Sequence, residues 1–153
     1  MANRRRSDVV RVLLALVAAC WVLKAALPNI ATPMRNCVQV VPLLVAIGVL
    51  ARRPSWTWPV AVPLFSIWAF GMVHLWSRSR SSRLGMSDFS VTSAEGALVA
   101  LIAMACGTGL VCAIRVPGPV GLRTRAVLVV STGFVQVAAL VVGTLLQDYL
   151  AGA

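Results

Sequence analysis

The chain has 153 residues, 59% of them apolar and 12% charged, with 14 Lys and Arg against 4 Asp and Glu for a formal charge of +10. Soluble domains carry about 25% charged residues, so an ordinary soluble fold is excluded. The chain is also too apolar for a basic nucleic-acid-binding domain or a disordered basic tail. What remains is an all-α integral membrane protein, a polytopic bundle whose partner is the lipid bilayer and whose basic residues orient it; no nucleic acid is expected. A span needs roughly 20 mainly apolar residues, which leaves room for four or five spans in one transmembrane helical domain covering 1–153.

The first apolar run, 9–27, carries Arg11 and Lys24 close enough to its ends for both to snorkel to the headgroups. It ends at Pro28. Arg4, Arg5 and Arg6 ahead of it, with Val17-Ala18-Ala19-Cys20 inside it, also fit a bacterial lipoprotein signal. The apolar run continues past Cys20 to Leu27, so an uncleaved anchor is expected, with lipidation at Cys20 as the alternative. The second run, 37–51, contains Pro42 and extends only about 22 Å at 1.5 Å per residue, so it is either a short span or a re-entrant hairpin.

The third run, 58–76, has Pro59 and Pro63 in its first turns, where proline is tolerated. Trp58 and Trp76 lie about 27 Å apart along it, close to the ~30 Å hydrocarbon thickness that aromatic belts bracket. A Ser/Arg stretch, 77–83, reads as a solvated linker. The fourth run, 91–114, stops at Arg115, Pro117 and Pro119, and the fifth, 126–146, closes on Gln147, Asp148 and Tyr149. Five spans with the N-terminus in the cytoplasm put nine basic residues inside and five outside, the direction the positive-inside rule demands. A re-entrant second segment leaves no bias. The expected location is therefore the bacterial cytoplasmic membrane, multi-pass.

In that topology Lys24, Gln39, His74, Glu95 and Asp148 all fall near the outer ends of spans. One reading is a polar vestibule in which Glu95 and His74 accept protons; the other is that spans simply end there, in reach of water and headgroups. Gln136 lies deeper, in the fifth span, where an interhelical hydrogen bond is expected. Gly96, Ala100, Ala103 and Gly107 form one small-residue stripe on the fourth run, and Ala139 and Gly143 repeat the spacing on the fifth. Such stripes let membrane helices approach closely, either within the chain or against another protein or a second copy.

No catalytic set emerges. One His, no metalloprotease or phosphate-loop pattern, and a Gly107-Thr108-Gly109 sequence set within an apolar helix leave no template to fill. Four acidic residues leave only Glu95 with Asp88 or Asp148 as raw material for a lipid-modifying site. Four cysteines, Cys20, Cys37, Cys106 and Cys112, lack ligand spacing, so neither metal nor cofactor is expected. The leading expectation is a structural or accessory membrane subunit acting through helix packing; the alternative is a small transporter or channel built on the outer polar layer.

Overall fold

The computed structural model describes residues 2–26, 31–83, 93–116 and 118–151. These form five α-helices, α1 (Ala2–Ala26), α2 (Ala31–Arg52), α3 (Thr57–Arg83), α4 (Ser93–Ile114) and α5 (Leu122–Ala151), with one 3₁₀ turn at Pro54–Trp56 between α2 and α3. The all-helical class and the five-element order agree with the apolar runs of the sequence.

Local chemistry sets the joints. Pro54 opens the 3₁₀ turn, where its missing N–H removes nothing, and the Trp56 amide donates to the Arg53 carbonyl at 3.0 Å. The buried Thr57 hydroxyl then donates to the Pro54 carbonyl at 2.7 Å, fixing the entry into α3. At the other joint the Val116 amide donates to Ala113 at 3.2 Å and the Val120 amide to Gly118 at 2.8 Å, so the chain turns before α5 begins.

Three sequence expectations change. The Ser/Arg stretch 77–83 is the C-terminal end of α3. Arg is a good helix former, Ser a middling one, and no Gly or Pro intervenes before Gly85. The Ser77 hydroxyl donates to the His74 carbonyl at 2.9 Å, consistent with continued winding. Next, α2 is one unbroken helix through Pro42, which leaves no room for a hairpin within 37–51. Finally, α1 starts at Ala2 and takes in Arg4 to Arg6. Among the described residues, two segments are long and apolar enough to cross a membrane, Pro54–His74 and Leu122–Leu150; Cys37–Arg52 and Val99–Ile114 are shorter. Five such spans were expected from the sequence; the shorter stretches of α2 and α4 are those of the described residues alone.

In space the helices form a ring. α1 touches α2 and α4, α5 sits between α2 and α3, and α3 completes the circle against α4. Directions follow from close approaches between named residues: Ser55 meets Gly118, Phe65 meets Gly109, Pro63 meets Gly133, and Arg35 meets Gly143. Thus α2 and α4 run one way while α3 and α5 run the other. The interior is filled by Leu13, Leu43, Leu64, Phe65, Trp68 and Ile102 among others.

Candidate functional site

α5 has two contrasting faces. Its inner stripe carries Gly133, Gln136, Ala139 and Gly143: Gln136 and Gly143 are buried, and Gly133 and Ala139 half-buried. The outward face carries Val127, Val130, Phe134, Val137, Val141 and Leu145, with Val130 70% and Phe134 73% exposed. Small residues inward let the backbone come close to its neighbours. A Cβ on Gly143 would lie 3.1 Å from the Arg35 carbonyl oxygen and 3.2 Å from Gln39 Cγ. The small inner side chains thus set the depth at which α5 seats on α2.

The expected polar layer is brought together only in part. Gln39 and Arg35 are half-buried where α2 meets Gly143 of α5. Burial pushes the Arg35 guanidinium below its ordinary value, and the carboxylate of Asp148, one turn past Gly143, pulls it back up. His74 stands exposed on α3, its ring stacked 6.4 Å from that of Phe70. The side chains of Lys24 and Glu95, and those of Cys20 and Gln147, lie outside the described residues, as do the surroundings of Gly96. Sequence reading missed Arg35 as the electrostatic neighbour of Asp148, although both stand at the same expected depth.

The α4 stripe is not uniform. Ala100 and Ala103 are half-buried, whereas Gly107 is exposed with open space beside its Cα. The close approach falls two residues later. A Cβ on Gly109 would lie 2.5 Å from Phe65 Cζ, so this glycine is the socket for the Phe65 ring.

Gln136 departs from expectation. It is fully buried, yet neither its Nε2 nor its Oε1 has a protein hydrogen-bond partner. Gly133, one turn earlier, faces Pro63, which has no N–H to donate. The Trp68 indole N–H is buried without a partner as well. No group of three or more metal-binding side chains occurs among the described residues.

At the end of the bundle where Ser55 meets Gly118, two arginines lie over indole rings. Arg53 Cζ sits 4.7 Å from the centroid of Trp56, and Arg125 Cζ 5.2 Å from that of Trp58. Arg125 Nη2 also donates to the Gly118 carbonyl at 3.4 Å, while its Nε is buried without a protein partner. Gly118 is obligatory here, because a Cβ would collide with the Ser55 carbonyl. No family model matches the chain, and no similar curated protein or solved structure was found.

Proposed function

We propose that this chain is an integral protein of a bacterial cytoplasmic membrane, crossing it five times with its N-terminus inside, and that it serves as a structural or accessory subunit through lateral helix packing. The outward face of α5 carries this reading. Large apolar side chains there are 48% to 73% exposed from Val127 to Leu145, while the amide and the glycines turn inward. A soluble monomer rarely shows an exposed apolar patch beyond a few hundred Å², because water penalises it at about 25 cal/mol per Å². In a bilayer the same face meets lipid tails at no such cost, and helices associate through close packing.

The test is Val130→Arg with Phe134→Arg, measured as stable membrane yield and as co-purification after gentle extraction. Loss of one stoichiometric companion with the yield intact supports an accessory subunit. An unchanged profile for both variants, together with release of the wild type from membranes by alkaline carbonate, overturns the reading.

A second reading, a small transporter or channel, is favoured by Gln136. An unpaired amide inside a bundle costs about 1 to 3 kcal/mol and is retained where it serves a passing polar solute or an internal water. Flux lost on Gln136→Leu at unchanged expression selects this reading. Together with Gln39, His74 and Glu95 it defines the variants to assay.

A further inference from the structure

Gln136 stands where both neighbouring helices carry a proline. The close approach of Gly143 to Arg35 fixes the register of α5 on α2, a Cβ at Gly143 lying 3.1 Å from the Arg35 carbonyl oxygen. These helices are antiparallel, so seven residues back along α5 and seven forward along α2, two turns in each case, bring Gln136 level with Pro42 on the facing sides. Pro42 is buried there. On the other flank a Cβ at Gly133 would lie 3.9 Å from Pro63 Cβ. A helical side chain leans over the turn before it, so Gln136 reaches over Gly133 toward that second proline.

Both prolines lie inside their helices. Neither has an N–H, so the carbonyls of Val38 and Pro59 lose the donor that an unbroken helix would give them. Beside them is the Gln136 amide, fully buried with neither Oε1 nor Nε2 bonded to protein. Three carbonyl-type acceptors and one NH2 donor thus belong to one level of the bundle. Charge is missing from it. On α2, α3 and α5 the charged residue nearest this level is Arg35, two turns or about 10 Å away. An ion would arrive without a counter-charge, whereas a neutral molecule rich in O–H or N–H donors would find acceptors ready.

We propose that Gln136, with the Val38 and Pro59 carbonyls, forms an interior site for a small neutral solute carrying several hydrogen-bond donors, of the polyol or urea type, that passes through the bundle. This rests on the transporter reading above. A site that must release its solute leaves its amide unpaired between one solute and the next, so Gln136→Leu is expected to lose flux without losing stability.

The full chain is reconstituted in lipid vesicles, and entry of glycerol and of urea is followed by light scattering after an osmotic step, with potassium and proton fluxes recorded on the same preparation. Wild-type vesicles are expected to admit glycerol or urea several-fold faster than protein-free vesicles. Gln136→Leu is expected to lower the protein-dependent rate about tenfold, the loss of one or two hydrogen bonds to the passing solute, while melting no lower than the wild type. Val137→Ala, next in the chain but on the outward face, is expected to leave the rate unchanged. If Gln136→Leu does not accumulate, Pro42→Ala, which returns an amide to bond the Val38 carbonyl, takes its place with the same expected direction. Equal rates in the wild type and in the variant measured overturn the site. Flux of potassium or protons with none of either neutral solute overturns the inferred solute class and keeps the transporter reading. Absence of any protein-dependent flux overturns the transporter reading itself, so the two failures are separate results.

Discussion

Gly109 and Gln136 show how single side chains shape the interior. Gly109 gives way to the Phe65 ring, and any Cβ there drives atoms to within 2.5 Å. Gly109→Ala is expected to lower stability by about 1 to 3 kcal/mol, the usual cost of overpacking, and Phe65→Leu in the same chain to recover part of it. Thermal melting of the two singles and the double checks this; additive losses would show that the ring and the glycine do not oppose each other. At Gln136, replacement by Leu removes two unpaired polar atoms in exchange for an apolar side chain. Melting is expected to rise by the equivalent of about 1 kcal/mol or more; a fall would mean that the amide is bonded to a water or solute. Asp148→Asn removes the carboxylate that offsets the burial of Arg35. Because Asp148 is exposed, the expected loss is at most about 1 kcal/mol and shrinks with added salt, as melting at low and high ionic strength will show.

At the scale of the helix, the apolar runs located all five elements, and their ends were harder to place. Pro28 and the Arg115 to Pro119 stretch were readable as stops because proline cannot continue a helix. The extension of α3 to Arg83 was not, since charge was read as a sign of loop while Arg itself favours the helix. Pro42 misled in the other direction: a single proline within an otherwise apolar helix left α2 unbroken. Of the candidate site, the Ala139 and Gly143 spacing was legible because close approach requires small residues. Which helix approaches, α2 through Arg35 and Gln39, was not legible, because periodicity names a face without naming its neighbour. Gly109 has small partners of its own, Ala105 and Ala113, at i−4 and i+4, but spacing alone did not mark it over the stripe through Gly107 as the one that meets a ring. The pairing of Arg125 with Trp58 joins residues 67 positions apart, a separation that no local pattern reports.

For the whole molecule, the antiparallel relations of α2 with α5 and of α3 with α4 place the two arginine-rich joints at one end, the arrangement that the five-span topology proposed above requires. Cysteines introduced at Arg53 and Arg123 are expected to react with a membrane-impermeant maleimide from the cytoplasmic side, and one at Ser81 from the opposite side. Labelling of Arg53→Cys and Arg123→Cys from different sides would break the shared end, and labelling of Ser81→Cys from the cytoplasm alone would reverse the topology.

The ring order also says something about time. α5 comes after α2 and α3 in the chain, yet its place is between them, and they barely touch one another. A chain made from its N-terminus therefore completes both walls of that slot before the helix that fills it. The small residues on the inner stripe of α5 let it seat closely once it arrives.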